Sequence, residues 1–129
     1  MDCIFCKIIN GDIKSYTVYE DELVKVFLDI NPNTNGHMLL VPKKHYNNIM
    51  DLDESLTQHI HTVIKHLYGI IKDKLGCVGL TICQNNDFGQ EVKHIHFHLI
   101  PRYSNDEFKI TKNDKILVNI EDVYEQLKD

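Results

Sequence analysis

The sequence contains no long hydrophobic run, since no apolar segment approaches the roughly 18 residues that a membrane-spanning helix needs. It also has no excess of basic residues, because 14 lysines and arginines stand against 19 aspartates and glutamates and give a net charge of −5. The first absence argues against a membrane protein. The second argues against a basic stripe that would bind nucleic acid, although backbone amides and histidines could still hold a single phosphate group.

An export signal and internal repeats are absent as well. The amino-terminal segment MDCIFCKIINGD has neither a basic region nor a long apolar stretch, so it is not predicted to be a signal peptide and we expect a cytoplasmic protein. A chain of 129 residues without repeats, linkers or low-complexity segments is predicted to fold as one domain. In a reducing cytosol, its four cysteines are expected to be thiols or metal ligands rather than disulfides.

The most informative stretch is the sequence HIHFHLIP at positions 94–101, in which histidine and apolar residues alternate. Alternation is the period of a half-buried β-strand, so the three imidazoles are predicted to project from one face. At about 3.3 Å of rise per residue, His94 and His98 would lie roughly 13 Å apart, too far for all three rings to bind one ion at about 2.1 Å. The three histidines must therefore have different roles. A metal could take one or two of them, and another is left as a nucleophile, proton carrier or phosphate contact.

The order of the predicted elements favours an antiparallel α+β fold, because strands lie before and after a single long helix. Strands are predicted at residues 16–20, 23–30, 37–41, 77–83 and 94–101, with a turn at Glu20-Asp21 and a stop at Pro42. An amphipathic helix is predicted from Asp53 to Leu75, with Asp51 or Asp53 as its N-cap, and ends at Gly76. A short helical turn is expected over residues 3–10, and the last part of the segment 116–127 has helical spacing. The helix histidines His59, His61 and His66 are interpreted as ordinary surface residues.

A Cys-x-x-Cys pair, Cys3 and Cys6, could supply two of the four ligands of a tetrahedral zinc ion. Two histidines would complete the set. His45, just beyond the third predicted strand, and His94, the first of the alternating run, are the natural candidates. We therefore predict a structural zinc site that ties the N-terminal segment to the sheet, the alternative being a pair of cysteines without metal.

If a metal takes His94, then His96 is left for chemistry. A neutral imidazole is a competent nucleophile at neutral pH, because its ordinary pKa of about 6.5 leaves most rings unprotonated. Attack on phosphorus is the use that we expect. The groups that could cradle a phosphate together with His98 are the backbone amides of Gly89-Gln90-Glu91-Val92 and the side chains of Asn85, Asn86 and Gln90.

These residues resemble the signature of the histidine triad family, His-φ-His-φ-His-φ-φ, where φ is apolar. The resemblance is carried by GQEVKHIHFHLI at 89–100 and, upstream, by CIFCKII at 3–9, FLDINP at 27–32 and GHMLLVPKKH at 36–45. The upstream blocks are similar to those of the nucleotide-binding, Hint-like branch. Because the match runs from Cys3 to Arg102, it implies a single domain over residues 1–129 with a core at 3–102 and a C-terminal extension at 103–129.

The resemblance implies a homodimer of α+β protomers, each with a five-stranded antiparallel sheet, one long helix and short N- and C-terminal helices. It also implies a hydrolase that cleaves purine nucleoside phosphoramidates or acyl-adenylates to a nucleoside monophosphate through a nucleotidyl-histidine intermediate. By position, His96 matches the nucleophile and His98 matches the residue that contacts the phosphate and the leaving group. His37 matches the fourth family histidine, which supports the nucleophile in a proton relay.

The resemblance further implies a nucleotide site in which Asp29 holds the ribose hydroxyls. The residues that match the apolar base pocket, with Ile30 beside them, are Ile4, Phe5, Ile8, Phe27 and Leu39. The zinc-binding members use positions that match Cys3, Cys6, His45 and His94, the same four residues that the spacing indicates. The loop at 84–89 is shorter than in many members, so the phosphate-binding asparagine is either Asn85 or Asn86.

Two other functions are consistent with the sequence. The chain could be a nucleotide- or partner-binding module without turnover, which a nucleotide that binds but is never cleaved would indicate. It could also be an enzyme whose catalytic zinc is held by the triad histidines with an open water position. In that case the metal would survive the loss of Cys3 or Cys6.

Overall fold

A five-stranded antiparallel sheet with the strand order β1-β2-β3-β5-β4 is the centre of the computed structural model, which describes residues 3–128. The strands are β1 (Thr17–Glu20), β2 (Val24–Leu28), β3 (Met38–Pro42), β4 (Gly79–Cys83) and β5 (Phe97–Arg102). The helices are α1 (Ile4–Ile9), α2 (Glu54–Leu75) and α3 (Ile120–Leu127), with short 3-10 turns at Ile49–Asp51 and Asp114–Ile116. The predicted α+β architecture is confirmed. Residues 1–2 and 129 of the predicted domain lie outside the described range.

Helix α2 covers one face of the sheet, because its apolar residues recur every three or four positions and form one stripe. Asp53 caps its N-terminus by accepting a hydrogen bond from the Leu56 N–H at 2.7 Å, and Gly76 ends it in the left-handed conformation at φ 68°. Both helix ends agree with the prediction. The main core between α2 and the sheet includes Val24, Val26, Met38, Leu40, Leu56, Ile60, Val63, Ile64, Leu67, Ile71, Ile95, Phe97 and Leu99.

The opposite face of the sheet carries a second core beneath α1. Its buried members are Cys3, Phe5, Ile8, Phe27, Leu39 and Val41. In the register of the sheet, Leu39 of β3 lies directly opposite His98 of β5. Since paired residues of antiparallel strands point to the same face, His98 projects on the α1 side of the sheet. Helix α1 and His98 therefore lie on one face of the sheet, and α2 packs against the opposite face.

The histidine run is not one continuous strand, which corrects the prediction of a strand over residues 94–101. Strand β5 begins at Phe97, and its last pairing with β3 joins Phe97 to Leu40. The hydrogen-bond ladder stops there because Pro42 has no N–H to donate. Pro42 is the last residue of β3, whereas the sequence predicted that the strand would end before it. The Pro42 carbonyl is also occupied, since it accepts a hydrogen bond from His94 Nε2 at 2.8 Å. The apolar residues of the run still belong to the main core, so the predicted alternation of faces is retained.

The hairpin of β1 and β2 is closed by Asp21, in the turn that the sequence predicts. The Asp21 carboxylate accepts hydrogen bonds from the N–H groups of Leu23 and Val24 at 2.7 and 2.9 Å, and from the Tyr19 hydroxyl at 2.8 Å. His59 of α2 donates to the same carboxylate from Nε2 at 2.7 Å. His59 therefore fastens α2 to the hairpin, a contact that its interpretation as an ordinary surface residue did not include.

The C-terminal segment extends along the surface and ends in α3, as its helical spacing predicts. Asn119 caps this helix by accepting a hydrogen bond from the Glu121 N–H at 2.9 Å. The apolar side chains of Ile120 and Leu127 are 80% and 78% exposed, so α3 adds nothing to either core. Among residues 3–128, no helix combines the length and the apolar character that crossing a membrane requires.

Candidate active site and metal centre

Four side chains from three parts of the chain converge beside α1. Cys3 and Cys6 come from its first turn, His45 follows β3, and His94 precedes β5. The Cys3 sulfur lies 3.4 Å from His94 Nδ1, and the Cys6 sulfur lies 3.3 Å from His45 Nδ1. The two Nδ1 atoms are 3.2 Å apart. All four ligand atoms lie within 4.8 Å of one another, so the structure brings together the four residues that the sequence predicts as metal ligands.

The hydrogen bonds of the two imidazoles leave unshared electron pairs directed into this cluster. His94 Nε2 faces the carbonyl oxygen of Pro42, which can only accept, so Nε2 carries the hydrogen. His45 Nε2 likewise donates to the side-chain oxygen of Asn47 at 3.2 Å. Each neutral ring therefore turns an unprotonated Nδ1 toward the other ring and toward the sulfurs. Two such nitrogens repel each other unless a cation lies between them.

The spacing and the chemistry of the cluster fit a tetrahedral metal ion. Zinc–nitrogen bonds of about 2.05 Å and zinc–sulfur bonds of about 2.3 Å place two nitrogens about 3.3 Å apart and a nitrogen and a sulfur about 3.6 Å apart. Burial and the neighbouring Cys3 sulfur raise the pKa of the Cys6 thiol, because two thiolates there lack a compensating charge. Burial also lowers the pKa of His94 to about 4, which keeps its ring neutral. These four residues could therefore bind a metal ion.

Of the other two histidines of the run, His98 forms a hydrogen-bonded pair with His37, the histidine relay, and His96 lies beside this pair with its ring centroid 5.1 Å from that of His98. His37 Nδ1 accepts a hydrogen bond from the backbone N–H of Asn33 at 2.9 Å, so the hydrogen of this ring is on Nε2. That Nε2–H donates to His98 Nδ1 at 2.9 Å, which leaves His98 with an Nε2–H for a ligand. His96 donates its Nδ1–H to the carbonyl oxygen of His94 at 2.9 Å. The unprotonated nitrogen of His96 is therefore Nε2.

Burial favours the neutral form of the relay. It lowers the pKa of His37, against the opposing negative charge of Asp29. Burial, together with the adjacent His96 and His37, also lowers the pKa of His98, and Asp29 and Glu91 oppose this shift. Both rings therefore keep their order of donors and acceptors at neutral pH.

Asp29, His37 and His98 also lie close enough to share an ion, but their hydrogen bonds argue against a second metal. A metal at His37 Nε2 would have to displace the hydrogen on that nitrogen. The hydrogen could move only to Nδ1, where the Asn33 N–H already donates. The order of hydrogen bonds in this group therefore argues against a catalytic metal held by the triad.

A cavity of about 360 Å³ opens beside the relay, between α1, β2 and β3. Nine residues predicted to bind the nucleotide line it: Ile4, Phe5, Ile8, Phe27, Asp29, Ile30, Leu39, Glu91 and Val92. The Phe5 ring packs edge-on against the rings of Phe27 and His96, with centroids 5.8 and 4.9 Å apart, so this apolar wall also orients His96. Six further lining residues were not among the predicted site residues: Ile13, Lys14, Ser15, Tyr16, Leu28 and Asn31. Leu28 and Asn31 belong to the FLDINP block, which was the available signal for them, whereas residues 13–16 lie outside every motif block.

The loop at 84–90 uses most of its polar side chains within the protein. Asn86 Oδ1 accepts a hydrogen bond from the Ile49 N–H at 2.8 Å, and its amide group also pairs with the Gln84 side chain. The Gln90 side chain is buried and bonds to backbone groups of Asn47 and Asp87. Asn85 makes no side-chain hydrogen bond within residues 3–128. Of the three amide side chains predicted to bind phosphate, Asn85 is therefore the one that can do so without breaking an internal bond.

The sequence was compared with known proteins, and a family model described as the HIT domain matches residues 10–105. The chain belongs to the HIT family. An uncharacterised HIT-like protein of Methanocaldococcus jannaschii is 46% identical over 129 residues, which cover 98% of both chains. An adenosine 5′-monophosphoramidase of Schizosaccharomyces pombe is 36% identical over 84% of this chain and 79% of its own. An adenylylsulfatase of Arabidopsis thaliana is 34% identical over 81% of this chain and 54% of its own.

Solved structures of HIT proteins share the fold. A HIT family member from Bacillus subtilis superposes with a TM-score of 0.81 at 36% identity, covering 98% of this chain and 95% of the other. A zinc-bound histidine triad family protein from Mycobacterium smegmatis superposes with a TM-score of 0.80 at 32% identity, covering 88% and 84%. The sheet with its one long helix is therefore the HIT fold, as the resemblance implied.

Proposed function

We propose that this HIT protein is a hydrolase that cleaves purine nucleoside 5′-phosphoramidates or acyl-adenylates and releases a nucleoside monophosphate. The observation that carries the proposal is the hydrogen-bond order of the triad, in which His96 presents an unprotonated Nε2 and His98 presents an N–H. A nucleophile and a donor side by side suit attack on a phosphoryl group. The relatives named as a phosphoramidase and an adenylylsulfatase support the same class of reaction.

In this proposal the substrate binds in the cavity beside α1, whose lining supports the assignment. Its base packs against Phe5, Phe27 and Leu39, and its ribose hydroxyls bond to the Asp29 carboxylate, whose Oδ1 accepts from the Asn31 N–H at 2.9 Å. The α-phosphate then lies over the triad, where Asn85 and the backbone amides of residues 89–92 add neutral donors. Fixed donors of this kind stabilise the charge that develops on the phosphoryl oxygens.

The reaction proceeds in two displacements at phosphorus. In the first, His96 Nε2 forms a bond to the α-phosphorus, the bond from phosphorus to the leaving nitrogen breaks, and that nitrogen takes up a proton from solvent as it departs as an amine. His98 hydrogen-bonds to the departing group, and His37 holds the His98 ring in place. In the second, water attacks phosphorus, the bond to Nε2 breaks and a proton returns to solvent. The net reaction is hydrolysis, with His96 regenerated.

We also propose that the ion bound by Cys3, Cys6, His45 and His94 is zinc in a structural role. Two thiolates and two imidazoles in a closed tetrahedral set suit zinc, and the zinc-bound mycobacterial neighbour supports this choice. The site holds α1 against the histidine run, and α1 supplies the wall that contacts the base and His96. Homodimerisation and a cytoplasmic location stay predictions.

The test is intact-protein mass spectrometry after rapid mixing with adenosine 5′-phosphoramidate, with free AMP measured in parallel. We expect a transient adduct of one nucleotidyl group on the wild type. His96→Ala should give no adduct and a kcat/KM that is lower by at least about a thousandfold. The control is His61→Ala, which removes an exposed histidine from α2 and should leave adduct and rate unchanged.

Near-normal AMP production by the His96→Ala variant would contradict the proposal. A wild-type protein that binds nucleotides in calorimetry but never cleaves them would be a binding module instead.

A further inference from the structure

Glu91 brings a negative charge to a site that is proposed to bind an anionic substrate. Its exposed side chain lines the cavity that contains Asp29, and it also lines a neighbouring cavity of about 420 Å³ together with Asn47 and Lys93. None of the ion pairs within residues 3–128 involves Glu91. Its carboxylate can therefore interact electrostatically with a ligand bound in either cavity.

Positive charge is scarce at the same site. Arg102, the single arginine of the chain, is held by Asp106 through hydrogen bonds of 2.8 and 2.7 Å. The lysines that line the two cavities are Lys14 and Lys93, and Lys93 donates to the Asp87 carbonyl at 3.1 Å. Neutral donors can hold one phosphate. A chain of phosphates usually requires arginine, lysine or a bound cation, and this site offers few of them.

We propose that Glu91 is a specificity-determining residue whose carboxylate acts on charge carried beyond the reacting bond. It disfavours a pendant anion, such as a further phosphate group or a carboxylate on the leaving amine, and favours a leaving amine that carries a pendant cation. This inference rests on the proposed hydrolase function. It concerns which phosphorus–nitrogen bond is cleaved and leaves the two displacements unchanged.

The charge of Glu91 extends to the centre where the leaving group departs. Glu91 and Asp29 both favour the protonated form of His98, the residue assigned to the leaving group. A cation or an anion attached to the leaving nitrogen would lie in the same electrostatic field. Because Glu91 is exposed, water and salt weaken this field, and we expect discrimination of roughly tenfold rather than thousandfold.

The test uses three adenosine 5′-phosphoramidates of similar length, whose nitrogen carries a 4-aminobutyl, a pentyl or a 3-carboxypropyl group. The measured quantity is the ratio of kcat/KM for the cationic substrate to that for the anionic one. In Glu91→Gln this ratio should fall by about tenfold at low ionic strength, and the difference from wild type should shrink at high salt. Glu22→Gln removes an exposed carboxylate from the hairpin turn and should leave the ratio unchanged.

The outcomes separate the inference from the function on which it rests. Hydrolysis by Glu91→Gln with an unchanged ratio would overturn the inference and leave the hydrolase intact. If the wild type cleaves none of the three substrates, the proposed function fails. Calorimetric measurement of AMP and ADP binding to wild type and Glu91→Gln then tests whether Glu91 disfavours added negative charge. The substitution should tighten ADP binding about fivefold more than AMP binding. An equal change for both nucleotides would contradict the proposed selectivity.

Discussion

Replacing Cys6 with serine removes one of the four proposed metal ligands and alters a single side-chain atom. We expect the variant to lose its bound ion and to unfold at a lower temperature, because the cluster joins α1 to His45 and His94. An ion that binds only the folded chain stabilises it by about 4 kcal/mol when its free concentration is a thousand times the dissociation constant. For a domain of this size, that loss corresponds to a decrease in Tm of roughly 12–20 °C.

The loss should be concentrated in α1. The main core between α2 and the sheet contains none of the four ligands, whereas Phe5 and Ile8 belong to the second core beneath α1. Backbone amides of α1 should therefore exchange with solvent much faster in Cys6→Ser, while those of α2, whose buried residues belong to the main core, change least. Because the Phe5 wall contacts His96, the variant should also bind nucleotide more weakly.

The assay combines metal analysis after dialysis with calorimetric unfolding. Cys83→Ser is the matched control, since Cys83 is a half-buried free thiol on β4 outside the cluster and its loss should leave the metal content unchanged. Wild-type protein treated with a chelator should unfold at the temperature of Cys6→Ser. Full metal occupancy in Cys6→Ser would refute the assignment of the ligands. Loss of the metal with an unchanged Tm would refute its structural role.

Two further predictions concern the stability of turns. Burial raises the pKa of Asp21, but its hydrogen bonds outweigh burial and lower the pKa to about 2. The contribution of Asp21 to the free energy of unfolding is therefore complete above about pH 4 and is lost as the pH falls through 2. In urea unfolding, Asp21→Asn should lower the free energy of unfolding by about 1–2 kcal/mol at pH 7 and should lose less stability than wild type on acidification. The control is Asp12→Asn, which removes an exposed carboxylate, and equal results for the two variants would contradict the prediction. Gly36→Ala should cost roughly 1–3 kcal/mol, because φ is 90° and an added Cβ would lie 2.5 Å from Leu75 Cδ1. Gly11→Ala, at φ 86° with no atom within 4 Å, measures the backbone cost alone, and equal losses in both variants would rule out the contact with Leu75.

The elements that local patterns specify were predictable from the sequence. The 3.6-residue period and the cap at Asp53 indicated α2 to within one residue of its observed start, because both signals act within a few residues along the chain. The fixed spacing of Cys3 and Cys6 with two downstream histidines indicated the metal cluster, since metal ligands are restricted to few residue types. The motif blocks likewise indicated most of the cavity beside α1.

Only the tertiary structure decided where the hydrogens of the triad lie and how far its strand extends. The position of the hydrogen on His96 follows from the orientation of the His94 carbonyl two residues away, and the order of donor and acceptor in His98 follows from His37, 61 positions earlier. Strand β5 begins only at Phe97 because Pro42, 55 positions earlier, lies beside the run in the folded chain. The sequence determined which side chains the site contains. Their protonation depends on hydrogen-bond partners that only the folded chain sets in place. Some are near in sequence but oriented by the fold, such as the His94 carbonyl, and others come from remote segments, such as Pro42 and His37.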